Sequence, residues 1–516
     1  MYINKILLLS VFILSVASCQ DNNSDISINQ EDIYSKTNIY PTPPSQWMGN
    51  STTTYFSAGY VGDVMPYYED GKFNLFYLHD AKTKPAGEGF HDIHSFDTSD
   101  FINYSYNGRM IPYGTTSEPD FAVGTGSMIK VGNTYFYYYT GHNSIGSFLQ
   151  NNPRESILLA TSNDKKNWTK SKNFKITAPV GYYDFEFRDP HVFYNEQEGK
   201  YWMLISAQNN NDRKAVILKM TTSNLASGNW VSEGAIYTSN SPENYIMLEC
   251  PDLFKMGNHW YLLFSENWSQ NSGTHYRIST SPNGPWIKPT NDRIDGSYLY
   301  AAKTASNGTM RYVFGWSARR VPEKNTGGKE WAGNLVVHEL LQNADGTLAV
   351  KRPQSIGSVF TQNVELKLEQ NSGTINQNGN TITLGNNSKA MFTKLNASNQ
   401  ITFDLKLTNA GSTGMVFAQD RTSGSGMKIS FEPQNNRLAA YLINNNSEEI
   451  INEIPLIYDT NHNYKITVTT NNDVCTLYID DKIAFTNRIY DINGKNWSIF
   501  SGNVSPVYSN ITIKNP

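Results

Sequence analysis

The stretch Gly199-Lys-Tyr-Trp-Met-Leu-Ile, at residues 199–205, is a turn glycine followed by aromatic and aliphatic residues typical of a β-strand. Four further stretches have the same form, and their leading glycines stand at residues 71, 132, 257 and 308. The five glycines are therefore 61, 67, 58 and 51 residues apart along the chain. Strand-rich units of this length, repeated five times, predict a five-bladed β-propeller with four strands in each blade.

The alternative for this part of the chain is an all-β sandwich whose hairpin turns are alike by chance. Five occurrences at nearly even spacing make that the poorer account. After residue 353 the pattern changes to alternating strands, such as residues 400–407 and 464–469, separated by turn-forming residues. We therefore expect an all-β chain, with the propeller at residues 39–353 and an antiparallel β-sandwich at residues 361–516.

Length and composition favour a large globular protein with a polar surface. The 516 residues are more than one domain usually holds, and only 17% of them carry charge. A net charge of −4 gives no reason to expect nucleic acid as a partner. Two of the three cysteines, Cys250 and Cys475, fall in different predicted domains, so we expect buried free thiols rather than a disulfide framework.

The first residues have the pattern of an export signal. Lys5 precedes an apolar run at residues 6–16, and small residues then lead to Cys19. This ending resembles the lipobox of bacterial lipoproteins, in which the cysteine is acylated. An ordinary secretory signal with an incidental cysteine is the alternative.

The residues after Cys19 extend this prediction. Residues 20–23 resemble the surface-export tag of Bacteroidetes lipoproteins, and the polar stretch that follows is typical of a flexible tether. We expect a signal peptide at residues 1–18, a lipid on Cys19 and a tether at residues 19–38. The membrane partner is then reached through the lipid, and the protein faces outward from the outer membrane.

Three acidic residues stand shortly before glycine turns. Asp63 lies 8 residues before the glycine at 71, Asp189 lies 10 before the one at 199, and Glu249 lies 8 before the one at 257. The innermost strand of each propeller blade lines the central channel. We therefore expect the three carboxylates to occupy equivalent places in three blades and to meet in one funnel. Most acidic residues of such a chain are simply solvated; a shared position in the repeat and apolar surroundings set these three apart.

Carboxylates that meet in this way are suited to cleaving glycosidic bonds. That chemistry needs one carboxyl that stays protonated and one that is ionised. The apolar neighbours of Glu249 predict a raised pKa, so Glu249 is the expected acid. Asp63, short and beside a glycine, suits a constrained nucleophile. Asp189 follows Arg188, which we expect to keep it ionised for binding sugar hydroxyls.

Two motifs make this interpretation more specific. Arg-Asp-Pro at residues 188–190 and Glu-Cys-Pro-Asp-Leu-Phe at residues 249–254 resemble hallmarks of glycoside hydrolase family 32, the family of invertases, inulinases and levanases. Tyr-Ala-Ala at 300–302 and Phe-Gly-Trp at 314–316 resemble that family's fifth blade. The resemblance covers about residues 55–350, and the C-terminal sandwich resembles the family's second domain.

The resemblance implies a retaining double displacement, with Asp63 as nucleophile, Glu249 as acid/base and Asp189 as transition-state stabiliser. It implies a fructan substrate and no metal or organic cofactor. The implied substrate-binding residues are Arg188, His94, Trp316 and Trp331.

The surroundings of Asp63 depart from the family pattern. Gly62 stands where the family has asparagine, and Leu78 stands where it has a glutamine. These changes leave the three acids in place but leave the substrate open.

The hypothesis is a surface-anchored fructan hydrolase, endo-acting on the β-2,6 linkages of levan. The main alternative is an exo-acting β-fructofuranosidase of the inulinase or invertase type. A non-catalytic fructan-binding protein and a pentosan-cleaving propeller hydrolase are further alternatives. The sequence leaves the oligomeric state open.

Overall fold

The computed structural model describes residues 38–44, 46–48, 55–57, 59–81, 91–240, 242–407, 411–445 and 447–516, with the backbone alone at 46–48 and 55–57. The predicted signal peptide and Cys19 lie outside the described residues, as does all of the predicted tether except its last residue. The chain is all-β, with 59% strand and 3% helix. None of the described helices has the length and apolar character needed to cross a membrane.

The strands up to residue 351 form antiparallel meanders, in which strands that follow each other in sequence are hydrogen-bonded neighbours. A short hairpin, β1 (Gln46–Met48) with β2 (Tyr55–Ser57), precedes them. Meander 1 contains β3 (Gly59–Glu69), β4 (Lys72–Ala81), β5 (Asp92–Thr98) and β6 (Ser105–Ile111). Meander 2 contains β7 (Ala122–Val131), β8 (Thr134–His142), β9 (Glu155–Ser162) and β10 (Thr169–Lys170). Meander 3 contains β11 (Tyr182–Asn195), β12 (Lys200–Asn209), β13 (Ala215–Thr222) and β14 (Val231–Thr238).

Two further meanders complete this part. Meander 4 contains β15 (Glu249–Met256), β16 (His259–Glu266) and β17 (Gly273–Ser279). Meander 5 contains β18 (Leu299–Ser306), β19 (Arg311–Val321), β20 (Gly328–Gln342) and β21 (Leu348–Lys351). A single residue pair, Gly333 with Val61, joins β20 to β3, so that meanders 5 and 1 form one eight-stranded sheet.

The glycines that led the repeated stretches stand where the sequence predicted turns. Each one lies between the first and second strands of a meander, with a positive φ between 57° and 92°. An L side chain adopts this backbone conformation only at a cost, whereas glycine adopts it freely. The predicted hairpins at these five turns are confirmed.

The core lies between the meanders. Separate clusters of buried apolar side chains fill the spaces between meanders 1 and 2, 2 and 3, and 3 and 4. The largest cluster joins meanders 4 and 5 to meander 1, and it includes Val474, Tyr478 and Ala484 from the C-terminal part. Successive meanders therefore pack face to face, and the last one packs against the first.

The C-terminal part is a sandwich of two antiparallel sheets around one apolar core. One sheet contains β22 (Gln362–Val364), β24 (Ile375–Asn378), β25 (Thr381–Leu384), β27 (Ser398–Lys406), β32 (Asn463–Asn471), β33 (Val474–Ile479), β34 (Ile483–Arg488) and β36 (Val507–Asn515). The other contains β23 (Leu368–Ser372), β26 (Lys389–Lys394), β28 (Thr413–Gln419), β29 (Gly426–Glu432), β30 (Arg437–Asn444), β31 (Ser447–Pro455) and β35 (Asn496–Ser501). The described helices are short: α1 (Gly146–Leu149), α2 (Gln354–Ser358) and a 3₁₀ turn at Pro433–Asn435.

A buried polar network fixes the sandwich against the meanders. His338 of β20 contacts Asp295 Oδ2 through Nε2 at 3.1 Å and the Tyr478 hydroxyl through Nδ1 at 2.9 Å. Thr486 donates its hydroxyl to the same aspartate oxygen at 2.6 Å. Because buried polar groups are costly when unpaired, this chain of contacts favours one relative placement of the two parts.

Candidate active site

The first strand of every meander carries a β-bulge at the same height. In each strand two successive residues oppose a single residue of the neighbouring strand, at 62–63, 124–125, 189–190, 250–251 and 301–302. A bulge bends its strand and changes the direction of the side chains around it. These bulges, rather than a regular strand, form the centre of the candidate site.

The prediction that the three acids occupy equivalent places is wrong. Glu249 stands immediately before its bulge, Asp189 is the first bulge residue of its strand, and Asp63 is the second. The acids still converge because the bulges direct successive side chains into one space. Asp189 and its counterpart Cys250 have φ values of 61° and 54°, a strained left-handed conformation that is concentrated at functional sites.

Cys250 lies between Asp63 and Asp189. Its thiol sulfur is 3.7 Å from Asp63 Oδ2 and 3.8 Å from Asp189 Oδ2, and its backbone N–H donates to the latter oxygen at 3.0 Å. Burial raises the pKa of this thiol well above its ordinary value, and the nearby carboxylates add to the effect. Cys250 is therefore a neutral, weak donor between the acids. It and Cys475 are buried free thiols, as the sequence predicted.

Asp63 is held by neutral donors. Trp316 donates its indole N–H to Oδ1 at 3.0 Å, and Thr125 donates its hydroxyl to Oδ2 at 2.5 Å. Trp316 is only 3% exposed. Its polar atom lies against the candidate nucleophile, and its ring lines the same cavity as Asp63 and Glu249, so its binding of substrate stays a prediction. These contacts fix the carboxylate in one orientation without neutralising it.

Glu249 has a charged partner as well as a neutral one. Arg188 Nη2 donates to Oε1 at 3.0 Å, and the Tyr300 hydroxyl donates to Oε2 at 2.6 Å. Burial raises the pKa of Glu249, as the sequence predicted; the Asp63 carboxylate adds to this rise, while Arg188 and Tyr300 oppose it. A carboxyl with a raised pKa is the form that can deliver a proton.

The prediction that Arg188 keeps the pKa of Asp189 low is wrong in its outcome, although Arg188 itself acts in the expected direction. Burial raises the pKa of Asp189 to about 7; Glu249 and Asp63 add to this rise, and Arg188 only opposes it. The backbone N–H of Asp189 donates to the Thr140 hydroxyl at 2.8 Å. This bond holds the backbone of the strand and does not involve the carboxylate. Burial and the neighbouring carboxylates therefore raise the pKa of both Asp189 and Glu249.

The guanidinium of Arg188 is surrounded by carboxylates that the sequence analysis missed. Glu155 of β9 accepts two contacts at 3.2 Å, and Glu186 accepts a very short one from the same nitrogen. Arg154 in turn contacts Glu186 at 2.6 Å. Arg188 is thus fixed in position and reaches Glu249. No short motif could indicate Glu155, because meander topology alone brings it here.

Trp331 explains the glycine beside Asp63. A Cβ on Gly62 would lie 2.2 Å from an indole carbon of Trp331, so the ring occupies the space of a side chain at residue 62. The imidazole of His91 stacks on the same indole, with ring centres 4.5 Å apart. Gly62 and Trp331 therefore form one matched pair at the site.

His94 is not at the site. It is fully buried in meander 1, where its Nδ1 contacts the Tyr106 hydroxyl at 2.8 Å and its ring stacks on His79 at 4.3 Å. The expectation that it binds substrate is not supported by this placement. His91, three residues earlier, is the histidine that reaches the site through Trp331.

A cavity of about 470 Å³ reaches two of the three acids, whereas Asp189 is 3% exposed and does not line it. Asp63 and Glu249 both line it, and most of the other lining residues are aromatic or polar. These are Asn267, Trp268, Tyr300, Trp316, Lys329, Glu330 and Trp331. Within the described part of the chain, no group of three or more histidine, cysteine or acidic side chains is arranged to hold a metal ion.

Two carboxyl groups with different partners, opening on one polar and aromatic cavity of an all-β protein, are typical of a glycoside hydrolase. The chain belongs to glycoside hydrolase family 32. Residues 62–398 match the family described as "Glycosyl hydrolases family 32 N-terminal domain". Residues 346–513 match "GH32, BT1760-like, C-terminal domain".

Individual relatives agree with this assignment. A raffinose invertase from Escherichia coli is 26% identical over 335 residues, which are 61% of this chain and 64% of that enzyme, slightly under two thirds of its length. A sucrose-6-phosphate hydrolase from Escherichia coli is 24% identical over 418 residues, 77% of each protein. The solved sucrose-6-phosphate hydrolase of Lactobacillus gasseri has a TM-score of 0.68 at 17% identity, covering 89% of this chain and 91% of that one, and it shows the same fold.

Proposed function

We propose that this protein hydrolyses β-fructosidic linkages with retention of configuration, Asp63 acting as the nucleophile and Glu249 as the acid/base. The observation that carries the proposal is the contrast between the partners of these two residues at the same cavity. Asp63 is oriented by the uncharged donors Trp316 and Thr125, whereas Glu249 is buried with a raised pKa.

The roles follow from these partners. Asp63 attacks the anomeric carbon of the fructosyl unit while Glu249 gives its proton to the departing oxygen, which leaves as an alcohol. A covalent fructosyl ester on Asp63 remains. Glu249, now ionised, takes a proton from water, whose oxygen attacks the same carbon and releases Asp63. Asp189 and Arg188 bind the fructosyl hydroxyls and the charge that develops on the ring.

The substrate we propose is a fructan. Membership of family 32 and the names of the relatives support a fructosyl specificity, because raffinose and sucrose both carry a β-fructofuranosyl unit. Within this class we propose endo-cleavage of levan. The rim of the cavity carries Trp268, which is well exposed and so available to a polymer that extends beyond the cleaved bond.

Product length over time tests this proposal. Levan, inulin and sucrose are each incubated with the protein, and products are separated by size from the first per cent of conversion. We expect a ladder of oligosaccharides from levan first. Free fructose as the sole early product would contradict endo-cleavage.

An exo-acting β-fructofuranosidase is the second candidate. The relatives named for raffinose and sucrose 6-phosphate favour it, since these are small sugars. Fructose release from sucrose at a rate similar to release from levan, with the polymer length preserved, would select this candidate.

We also propose five blades for the propeller and a lipid anchor at the cell surface. The five bulged first strands support the blade number, and the pattern ending at Cys19 supports the anchor. For the anchor, a Cys19→Ala protein should appear in the soluble fraction of cells, while the unaltered protein stays with the membrane and is digested by external protease.

A further inference from the structure

The turn after β16 carries an exposed tryptophan to the rim of the cavity. Glu249 pairs with Ser265 in the ladder between β15 and β16, and Trp268 follows three residues later. Its side chain is 45% exposed. Trp268 lines the same cavity as Asp63 and Glu249, so the exposed part of its side chain can meet a ligand that enters there.

The carboxylate of Glu266 holds the backbone of this turn in place. Glu266, fully buried at the end of β16, accepts the backbone N–H groups of Trp268 and Ser269, each at 3.0 Å. Its other oxygen accepts a very short bond from the Ser269 hydroxyl. A buried carboxylate that binds three donors of one turn fixes the position from which Trp268 projects.

The carboxylate of Glu266 is itself supported. His275 lies 3.5 Å from Glu266 Oε1 through Nε2 and 3.2 Å from Asp292 Oδ2 through Nδ1. The same ring nitrogen, Nε2, contacts the carbonyl of Asn271, in the same turn, at 3.1 Å. Arg277 then donates to Asp292 at 2.6 Å. Glu266 is therefore supported by a buried polar network that extends from the turn to Arg277.

The position of Trp268 relative to the acids determines which part of a substrate it meets. Trp316 and Trp331 lie against Asp63 and Gly62, on the side of the nucleophile. Trp268 lies in the meander that carries Glu249, on the side of the acid. The acid protonates the departing oxygen, so a group beyond Glu249 faces the leaving portion of the substrate.

We infer that Trp268 is a stacking platform for the sugar on the leaving-group side, presented by the Glu266-held turn. The inference rests on the proposed function, because it takes Glu249 as the proton donor. The ligand it binds is a hexose ring of the chain that departs, not the fructosyl unit that reacts with Asp63. Aromatic faces bind the apolar faces of sugar rings, and loss of one such contact costs about tenfold in affinity.

Two substrates with different leaving groups test this placement. A fructan oligosaccharide presents a sugar beyond the cleaved bond, whereas β-fructosyl fluoride presents only fluoride. In Trp268→Ala we expect kcat/KM for the oligosaccharide to fall about tenfold and kcat/KM for the fluoride to stay within twofold. Trp268→Phe should recover most of the loss. If the unaltered protein cleaved neither substrate, the proposed function would fail rather than the placement of Trp268.

Controls make the outcome decisive. Tyr194, near the C-terminal end of β11, is an aromatic residue about as exposed as Trp268 (48% against 45%) that does not line the cavity. Tyr194→Ala should therefore change neither rate. Glu266→Gln should reproduce the oligosaccharide loss in part, and it should add no further loss in the Trp268→Ala protein, because it acts through that residue. Equal losses on both substrates in Trp268→Ala, or no loss on either, would overturn the inference.

Discussion

The nucleophile side and the acid side of the site are built from different kinds of contact. Asp63 has neutral donors, the Trp316 indole and the Thr125 hydroxyl, on its two oxygens. Glu249 has a guanidinium and a phenol, and the guanidinium is itself surrounded by Glu155 and Glu186. Neutral hydrogen bonds thus orient the Asp63 carboxylate, whereas a nearby positive charge also shifts the pKa of Glu249.

This difference corresponds to the two tasks of the reaction. A nucleophile needs a fixed direction of attack and must stay ionised, so neutral hydrogen bonds are sufficient. An acid/base must give up and regain a proton within each turnover. Its pKa must therefore lie near the working pH, which requires that groups raising the pKa be offset by groups lowering it. Burial raises the pKa of Glu249, and Arg188 limits the rise.

The largest expected effect separates the two sides by leaving group. Asp63→Ala should lower kcat/KM roughly 10⁴-fold on fructan and on β-fructosyl fluoride alike, because both reactions need the nucleophile. Glu249→Ala should lower it about 10²- to 10⁴-fold on fructan and much less on the fluoride, since fluoride departs without a proton. Steady-state rates on the two substrates measure this, and equal losses for Glu249→Ala on both would break the comparison.

A smaller effect concerns pH. Glu249 acts as an acid only while protonated, so activity is lost as pH rises through its pKa. The charge of Arg188 favours the ionised carboxylate, and Arg188→Met should therefore raise that pKa and move the alkaline limb of kcat/KM about one unit upward. We expect about a 10²-fold loss at the optimum as well, because the same guanidinium is proposed to bind substrate.

A matched variant isolates the direct contact. Arg154 carries the same charge but contacts Glu186 and not Glu249. Arg154→Met should leave the alkaline limb nearly in place. A downward shift of the limb in Arg188→Met would contradict the proposed balance of burial and charge.

The sequence predicted the parts of this arrangement that local patterns carry. Turn glycines with aromatic strands predicted the hairpins, and apolar neighbours predicted the raised pKa of Glu249. The bulges were not predicted, because two-against-one pairing depends on the partner strand. For the same reason the acids seemed equivalent. Arg188 was misjudged because sequence adjacency to Asp189 says nothing about the direction of a guanidinium on a bulged strand.

Side-chain positions at longer range were also beyond the sequence. His94 is buried in meander 1, and its pattern gave no sign that Tyr106 and His79 would enclose it. The fit of Trp331 over Gly62 joins residues that are far apart in the chain. Such pairs follow from the packing of meander 5 against meander 1, which sequence spacing does not specify.

That fit gives a third, more modest prediction. Gly62→Ala places a methyl group 2.2 Å from the Trp331 ring, so the indole must move away from the nucleophile side. We expect about a tenfold loss of kcat/KM and a loss of about 1–3 kcal/mol in the free energy of unfolding. Gly146→Ala is the control, because a Cβ there meets nothing within 4 Å; it should leave kcat/KM unchanged and should not lower the free energy of unfolding. Unaltered activity in Gly62→Ala would show that the position of Trp331 does not matter for the reaction.

The smallest expected effect comes from removing one neutral hydrogen bond, either from Glu249 or from Asp63. Tyr300→Phe keeps the ring but removes the 2.6 Å bond to Glu249 Oε2, which favours the ionised form. The pKa of Glu249 should rise, so the alkaline limb should move upward by less than it does in Arg188→Met, with a few-fold loss of rate. Thr125→Val removes the matching bond to Asp63 and should lower the rates on fructan and on β-fructosyl fluoride equally, without moving that limb. A limb that moved as far in Thr125→Val as in Tyr300→Phe would mean that the two carboxylates titrate as one unit, and the division between an oriented nucleophile and a tuned acid would not hold.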